Sequence, residues 1–270
     1  MDQFSLNEKN IIVTGGTGVL GKVFVEAIAE AGGAVGILGR NKTVAETRAT
    51  EINNNGGRAI ALAADVTKEI ELIEAKEKMI GAFGAIHGLV NAAGGNIPEA
   101  VVKPEANLFS LNIQAMKQAV ELNLWGTIIP TQVFGAAIAE SGTGSIINIS
   151  SVSADRALTR VLGYSLGKAA VDCYTRWMAV ELANRHGDKI RMNSVMPGFF
   201  LTEQNKSLLT KENGSYTERG ERIIKNTPFK RMGRADELKG TIIWLLSDAS
   251  KFVSGTVIPV DGAFSAFSGV

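Results

Sequence analysis

The chain has 270 residues, of which 45% are apolar and 20% charged, an ordinary balance for a soluble globular protein. Its 28 basic and 27 acidic residues leave a net charge of +1, so no global field attracts nucleic acid or an anionic membrane. Cys173 is the single cysteine, which excludes an internal disulfide framework and is typical of a reducing compartment. The N-terminus lacks the apolar segment of a signal peptide, and no uninterrupted apolar stretch approaches the roughly 20 residues that span a bilayer. We therefore expect a cytoplasmic protein with neither nucleic acid nor membrane as a partner.

Short apolar runs alternate with longer helical patterns along the whole chain. Strands are predicted at Asn10–Thr14, Ala34–Leu38, Ala59–Ala63, Ile86–Asn91, Ser145–Ile149, Lys189–Val195 and Thr256–Val260. Helices are predicted at Val19–Ala31, Thr43–Asn55, Lys68–Phe83, Glu105–Glu140 with a break near Asn123–Thr127, Leu162–His186 and Asp236–Ser247. Nearly all-apolar strands between helices indicate a parallel sheet covered on both faces. Right-handed crossovers then predict one α/β domain over 1–270, a doubly wound (Rossmann) seven-stranded sheet with ligands at the carboxyl ends of its strands.

A glycine-rich segment, TGGTGVLG at 14–21, joins the first strand to the first helix. Gly16, Gly18 and Gly21 fit the pattern G-x-G-x-x-G, and Gly15 adds the alternative G-x-x-G-x-x-G. Such glycines permit a tight turn and a close approach of the backbone to a pyrophosphate at the helix N-terminus. The same glycines would also suit a plain tight turn, but their place between strand and helix predicts a dinucleotide site.

The end of the second strand bears on the choice of cofactor. No carboxylate stands there to hold a ribose 2′-hydroxyl, whereas Arg40, followed by Asn41, can pair with a 2′-phosphate. The sequence therefore favours NADP over NAD, although NAD would remain possible if Arg40 were an ordinary surface residue.

Two further candidates follow the next strands. After the third strand, Asp65 either meets the adenine edge or caps the next helix. Asn91-Ala-Ala-Gly94, after the fourth strand, either brings backbone against the cofactor or forms a simple turn.

The most informative spacing is that of Tyr164 and Lys168, four residues apart in YSLGK, with Ser151 thirteen residues before the tyrosine. Positions i and i+4 share a helix face, so an ammonium is expected beside a phenol. An adjacent cation favours the phenolate and would lower the tyrosine pKa from about 10 toward the working range. This arrangement suits proton exchange with an alcohol or carbonyl oxygen, although such pairs also arise on ordinary helix surfaces.

Taken together, these motifs resemble the short-chain dehydrogenase/reductase family over essentially the whole chain. The matching elements are TGGTGVLG, Asp65, NAAG at 91–94, Asn123, NISS at 148–151, YSLGK at 164–168 and PG at 197–198. The resemblance implies a catalytic tetrad of Asn123, Ser151, Tyr164 and Lys168, and a homotetramer. Residues expected at the cofactor are Gly15, Thr17, Gly18, Val19, Leu20, Arg40, Asn41, Asp65, Val66, Asn91, Ala92, Ala93, Gly94, Tyr164, Lys168, Pro197, Gly198, Phe200 and Thr202. Two positions depart from the family pattern, Val19 and Ala92, where glycine and asparagine are usual; both bear on loop geometry rather than on chemistry.

The resemblance also implies a mechanism. Tyr164 would give its proton to the carbonyl oxygen as hydride arrives, while Ser151 orients that carbonyl. Lys168 would lower the tyrosine pKa and hold the nicotinamide ribose, and Asn123 would position a water in a proton relay. Because no tetrad member is lost, a non-catalytic nucleotide-sensing protein is the weaker alternative.

The substrate is a small molecule on this interpretation. Residues 199–238 are rich in polar groups and are expected to form a lid over it. Arg156 and Arg160 could pair with a substrate carboxylate, although neighbouring backbone or another subunit would also suit them. The remaining candidates for binding sugar hydroxyls are Asn96, Ser153, Gln204 and Asn205. No metal ligands are predicted.

Within the family the chain resembles the D-mannonate oxidoreductase, or fructuronate reductase, branch. The segments that carry this are AGGN at 93–96, LTRVLGYS at 158–165, PGFFLTEQN at 197–205 and the terminal DGAFSAFSGV. The resemblance implies reduction of the 5-keto group of D-fructuronate to D-mannonate, and the reverse oxidation. Reduction of 5-keto-gluconate or of another keto-sugar is the alternative.

Overall fold

A computed structural model describes residues 3–201 and 209–269. Its seven strands form one parallel sheet in the order β3-β2-β1-β4-β5-β6-β7. They are β1 (Asn10–Thr14), β2 (Ala34–Gly39), β3 (Arg58–Ala63), β4 (Gly88–Asn91), β5 (Gly144–Ile149), β6 (Ile190–Pro197) and β7 (Val257–Val260). The chain reverses its winding between β1 and β4, whose register pairs Thr14 with Asn91. The predicted doubly wound α/β domain is confirmed, and the crevice at β1 and β4 is where such sheets bind ligands.

Helices cover both faces of the sheet because the strands are apolar on both sides. The helices are α1 (Val19–Glu30), α2 (Lys42–Asn54), α3 (Glu69–Phe83), α4 (Ile113–Val120), α5 (Gly126–Glu140), α6 (Leu162–His186), α7 (Glu218–Asn226) and α8 (Lys239–Leu246). One core lies between the sheet and α1, α2 and α8, around Phe24 and Leu245. The other lies between the sheet and α3, α5 and α6, around Met79 and Phe134.

The predicted long helix from Glu105 is wrong at its start. Residues 105–112 form turns, and α4 begins at Ile113, where the Asn112 side chain accepts a hydrogen bond from the Ala115 N–H at 3.0 Å. This is the usual N-cap of a helix, and its side chain satisfies a backbone donor that the helix leaves free. The break predicted near Asn123–Thr127 is instead a π-helical turn, Glu121–Trp125, that joins α4 to α5.

By length and composition alone the helical stretch Ile113–Glu140 could cross a membrane, but 44% of its most apolar 18 residues are buried inside the protein. The buried part of α5 packs against β4, β5 and α3. An apolar helix that packs in this way is the core helix of an α/β sheet.

Residues 199–201 and 209–238 lie beyond the carboxyl end of β6. A separate apolar cluster of Leu209, Ile223 and Met232 holds α7 in place, with Phe199 packed against it. That this segment closes over a substrate stays a prediction.

Candidate active site

The glycine loop and the end of β4 meet at the carboxyl edge of the sheet. Gly15 has φ +65°, and a Cβ there would come within 2.8 Å of the Ala92 backbone. Thr14 ties the two segments together, because its hydroxyl oxygen accepts hydrogen bonds from the N–H groups of Ala92 at 3.1 Å and Ala93 at 3.2 Å. Position 15 therefore requires glycine for two reasons, its left-handed backbone and the close approach of a second chain segment.

Arg48 supports the loop from α2, a role that sequence reasoning missed. Its guanidinium donates hydrogen bonds to the carbonyl of Gly16 and, at 2.9 Å, to that of Gly18. These contacts tie the loop to α2 just before the N-terminus of α1, and helix N-termini of this kind bind phosphate groups. No local motif marks Arg48, because its partners lie 30 or more residues earlier in the chain.

The segments after β2 and β3 lie close enough to interact electrostatically. Arg40 is exposed, while Asn41 caps α2 through a hydrogen bond from the Val44 N–H at 3.1 Å. Asp65 accepts hydrogen bonds from the Thr67 N–H and hydroxyl, at 2.9 and 2.7 Å. Although partial burial opposes the change, these bonds and the charge of Arg40 hold the pKa of Asp65 below its ordinary value. Asp65 thus closes a short turn ahead of α3 and does not cap that helix, whose N-cap is Lys68 without a side-chain cap bond; its adenine contact stays a prediction.

The other cofactor candidates differ in what their side chains do. Thr17 lies against Gly39, where a Cβ would meet its hydroxyl at 2.4 Å, and Val66 lies against Gly126. Val19 and Leu20 begin α1, the first exposed and the second packed against the core.

The candidates at the end of β6 pack against neighbouring loops. Pro197 ends the strand, Gly198 lies against Asp261, and the buried Phe200 ring covers Gly233. Asn91 is buried and donates to Thr131 and Asn148, each at 2.9 Å. Thr202 lies outside the described residues.

Tyr164 and Lys168 stand one turn apart near the start of α6, as their spacing predicts. The Lys168 Nζ lies 5.7 Å from the centroid of the Tyr164 ring. Ser151 follows β5, caps a short 3-10 turn and faces the tyrosine closely enough to affect its ionisation. Three of the four predicted catalytic groups therefore lie together beyond the end of β5.

Lys168 is almost completely buried, with 3% of its surface exposed. Its ammonium donates a hydrogen bond to the Ile149 carbonyl at 2.6 Å. Burial lowers the pKa of Lys168 to about 8, and the negative charge of Asp172 opposes part of that change. An ammonium has three donors, so Lys168 keeps donors available for a ligand at the mouth of the site.

The expected lowering of the Tyr164 pKa is wrong for the protein on its own. Burial raises the pKa of the phenol, and the Ser151 hydroxyl offsets only part of this by stabilising the phenolate. The ammonium of Lys168 is directed to the Ile149 carbonyl rather than to the phenol oxygen. The phenol is consequently kept protonated, which is the state a proton donor needs.

Asn123 is completely buried inside the π-helical turn. Its amide donates to the carbonyls of Gly95 and Ala119, each at 2.8 Å, and accepts from the Gly95 N–H at 3.1 Å. Gly94 separates it from the lysine: a Cβ there would lie 2.6 Å from Asn123 Oδ1 and 3.2 Å from Lys168 Nζ. Asn123 thus joins the loop after β4 to α4, and π turns of this kind are frequent at functional sites.

A buried carboxyl that sequence reasoning missed lies one turn beyond the lysine. Asp172 Oδ1 is 3.2 Å from the hydroxyl of Ser194, which is also 3.1 Å from the Asn148 carbonyl. Burial raises the pKa of Asp172, while Ser150, Ser194, Arg176 and Lys168 act in the opposite direction. The only sequence sign of this group is its spacing, because Tyr164, Lys168 and Asp172 form an i, i+4, i+8 series.

The predicted substrate residues differ in their surroundings, and among those described only Arg160 lines a cavity. Arg156 ion-pairs with Asp155 at 3.3 Å and donates to the Ser265 carbonyl, so neighbouring groups already engage its guanidinium. Ser153 is buried, and its hydroxyl has no partner among the described residues. Asn96 is exposed. Arg160, in contrast, lines a cavity with α7 and Phe199. Gln204 and Asn205 lie outside the described residues.

The site fits a nicotinamide dinucleotide. Glycine at positions 15 and 94 allows the segments after β1 and β4 to pack closely at the carboxyl edge of the sheet, next to the N-terminus of α1. The buried Lys168 ammonium offers hydrogen-bond donors beside a phenol and a serine hydroxyl. Within the described residues, no group of three His, Cys, Asp or Glu side chains could hold a metal ion. Fold and site together define a nicotinamide-dependent oxidoreductase of the Rossmann class.

Comparison with known proteins agrees with that class. A family model described as enoyl-(acyl carrier protein) reductase matches residues 18–265. The chain is 39% identical over 275 residues to the uncharacterised oxidoreductase UxuB of Bacillus subtilis, covering 98% of each chain. The chain belongs to the short-chain dehydrogenase/reductase family.

Two solved structures share this fold over 98% of each chain. One, from Haemophilus influenzae, is described as a provisional D-mannonate oxidoreductase with bound NAD; it is 37% identical with a TM-score of 0.90. The other is a gluconate 5-dehydrogenase from Burkholderia cenocepacia in complex with NADP and tartrate, 31% identical with a TM-score of 0.87. The chain is therefore an NAD(P)-dependent oxidoreductase, and both neighbours are described as acting on sugar acids.

Proposed function

We propose that this protein interconverts a ketone and a secondary alcohol on a sugar acid, with D-fructuronate and D-mannonate as the favoured pair. The observation that carries the proposal is the meeting of Ser151, Tyr164 and the buried Lys168 beyond the end of β5. The substrate class is supported by the two structural neighbours, one a provisional D-mannonate oxidoreductase and one a gluconate 5-dehydrogenase. Reduction of 5-keto-gluconate is the second candidate, and the gluconate 5-dehydrogenase favours it.

The chemistry follows from where charge develops. When bound, the nicotinamide supplies a hydride to the carbonyl carbon. The carbonyl oxygen gains negative charge, and Tyr164, kept protonated by its burial, gives it a proton. Ser151 donates a hydrogen bond to the same oxygen and fixes its position. In the oxidation direction the proton returns to Tyr164.

Lys168 and Asn123 act behind the tyrosine. With a pKa of about 8, the Lys168 ammonium is charged at neutral pH and electrostatically favours the phenolate that proton donation leaves. Its donors beyond the Ile149 bond suit ribose hydroxyls. Asn123 holds the Gly95 backbone beside the lysine, and its π-helical turn suits the water relay that the family resemblance implies.

We also propose that NADP is preferred over NAD. Arg40 is exposed at the end of β2, where a 2′-phosphate would lie. A charge-assisted hydrogen bond is worth about 1.5–3 kcal/mol, so the Kd for NADPH should be about 10–100-fold lower than in Arg40→Ala. Fluorescence titration measures both, and NADH affinity should change less than threefold. Equal affinities of the wild type for NADPH and NADH would contradict the preference.

The assembly and the compartment are likewise proposals. A stripe of exposed apolar residues runs along α6, formed by Leu162, Leu166, Trp177 and Val180, and Trp125 is exposed on the π turn. Exposed apolar patches on soluble proteins mark interfaces, which supports the homotetramer expected from the family. The single cysteine, Cys173, supports a cytoplasmic location. Light scattering on the purified protein would measure the mass of the assembly, and a monomer at micromolar concentration would contradict the tetramer.

The decisive test of function is a screen of the purified enzyme with both reduced cofactors. D-fructuronate should give the highest kcat/KM, followed by 5-keto-gluconate, with the neutral ketose D-fructose far below. Tyr164→Phe should lower kcat by about 10²–10⁴-fold and leave the Kd for NADPH within threefold. If the wild type reduces none of the keto-sugar acids, the proposed substrate class is wrong. If Tyr164→Phe keeps its turnover, the proposed proton donor is wrong.

A further inference from the structure

We propose that Arg160 and Arg219 together form the binding site for the carboxylate of the substrate. Both side chains line a cavity of about 300 Å³ that also includes Phe199, Phe264 and Thr159. This volume lies at the lower end of the roughly 300–1,000 Å³ typical of small-molecule sites. The proposal deepens the proposed function and rests on it, and it adds Arg219, which no sequence motif marks.

The cavity lies on the catalytic side of the sheet. Arg160 precedes α6 by two residues, and Tyr164 is in the first turn of that helix. Phe199 comes directly after Gly198, the residue that follows β6, and its ring packs edge-on against Phe264 at 5.2 Å. One wall of the cavity, residues 157–160, therefore leads directly into the start of α6, which carries Tyr164.

The charge of the cavity is positive and partly uncompensated. Three arginines and one glutamate line it, which leaves a net charge of +2. Arg222 pairs with that glutamate, Glu218, on the same helix. Neither Arg160 nor Arg219 ion-pairs with an acidic side chain of the described residues. The pKa of Arg219 is lowered, mainly by burial and in addition by the positive charge of Arg160. Two like charges that face one cavity are stabilised by an anion between them.

The backbone at Arg160 supports a functional interpretation. Its φ of +77° is in the left-handed region that favours glycine, and its carbonyl accepts a hydrogen bond from the Val102 N–H at 2.9 Å. Strained residues persist where the surroundings hold them, and they cluster at ligand sites. Guanidinium groups match a carboxylate with two parallel hydrogen bonds, whereas hydroxyl groups gain no charge attraction from them. The site therefore selects sugar acids over neutral sugars.

The test compares an acid with its neutral analogue. D-fructose carries a hydroxymethyl group where D-fructuronate carries the carboxylate. Arg219→Gln and Arg160→Asn should each lower kcat/KM for D-fructuronate by about 10–100-fold, mainly through KM, and change that for D-fructose less than threefold. Asparagine suits position 160 because it tolerates the left-handed backbone. Arg219→Lys, which keeps the charge but not the planar fork, should lose less than Arg219→Gln.

The matched control is Lys225→Gln, which removes the same charge from an exposed position of α7 outside the cavity. Lys225→Gln should leave kcat/KM unchanged for both D-fructuronate and D-fructose. If the arginine variants lose both substrates equally, or lose nothing while the wild type reduces D-fructuronate, the carboxylate site is wrong and the proposed function stands.

A binding measurement reads the site without turnover. The enzyme saturated with reduced cofactor cannot oxidise D-mannonate, so calorimetry gives its Kd directly. The Kd should rise about 10–100-fold in Arg219→Gln, while D-mannitol should bind weakly to both forms. If the wild type reduces no keto-sugar acid, the proposed function fails, and this Kd alone decides the carboxylate site. Failure of the wild type to bind D-mannonate would overturn it.

Discussion

The buried ammonium of Lys168 should make the free energy of unfolding depend on alkaline pH. In the folded protein its pKa is lowered from 10.5 to about 8, first by burial and against the charge of Asp172. An unfolded chain returns the lysine to its ordinary pKa. Below pH 8 the residue is charged in both states and destabilises the fold, whereas between about pH 8 and 10.5 the folded state has lost its proton and the unfolded state has not. Stability from this group therefore rises with pH across that window.

The size of the effect follows from the pKa change. One pKa unit corresponds to about 1.4 kcal/mol, so the lowering of Lys168 destabilises the fold at neutral pH by roughly 3 kcal/mol. Between pH 7 and pH 9.5 about 2 kcal/mol of this should be recovered. The discount for solvent screening is small because the side chain is only 3% exposed.

The assay is urea unfolding of the wild type and Lys168→Met at pH 7 and pH 9.5, at one protein concentration because association stabilises the folded state. Methionine fills a similar volume without a charge. The unfolding free energy of the wild type minus that of Lys168→Met should increase by about 2 kcal/mol from pH 7 to pH 9.5, whatever this difference is at pH 7. A difference that stays constant within about 0.5 kcal/mol would refute the argument that burial governs this lysine.

Further predictions concern the groups around the lysine. Gly94→Ala should destabilise the protein by about 1–3 kcal/mol in urea unfolding and lower turnover, since its Cβ would lie 2.6 Å from the buried Asn123 side chain. Gly81→Ala is the matched control: it meets nothing within 4 Å on α3 and should stabilise by about 0.5–1 kcal/mol. If both variants respond alike, the close approach at Gly94 has no energetic weight. Asp172→Asn should lower the folded-state pKa of Lys168, because the carboxylate raises it, so the rise in stability should begin below pH 8. A rise that begins at the same pH as in the wild type would show that the two charges do not interact.

The fold could be predicted because apolar periodicity is written into short stretches of sequence. Every strand of the sheet carries a run of apolar residues, and each predicted strand matches an observed one with ends that differ by at most two residues. The error at Glu105 has a local cause. Residues 105–112 include Leu108, Phe109 and Leu111, which mimic a helical face, yet Leu108 and Phe109 are exposed and the N-cap at Asn112 sets the true start.

The predicted catalytic residues could be found in the sequence for a similar reason. Tyr164 and Lys168 are one turn apart on a single helix, and the glycine loop is one continuous segment. Arg48 and Arg219 were missed because each lies near residues distant in the chain, which only the folded structure brings close. Asp172 has a spacing signal, but its burial and its contact with Ser194 are visible only in the folded structure. The pKa of Tyr164 was predicted in the wrong direction because the sequence shows the neighbouring charge but not the burial that outweighs it.

Burial also explains why the site is informative about function. An ammonium held in the core against one carbonyl, with Asp172 one turn away on the same helix, is an unfavourable choice for stability alone. A methionine would pack in the same space without loss of hydration. The arrangement fits the proposed role, in which a positive charge acts on a phenol that burial keeps protonated before proton transfer to a carbonyl oxygen. The stability that Lys168 removes at neutral pH and the chemistry proposed for it thus have one physical origin, the low polarity of its surroundings.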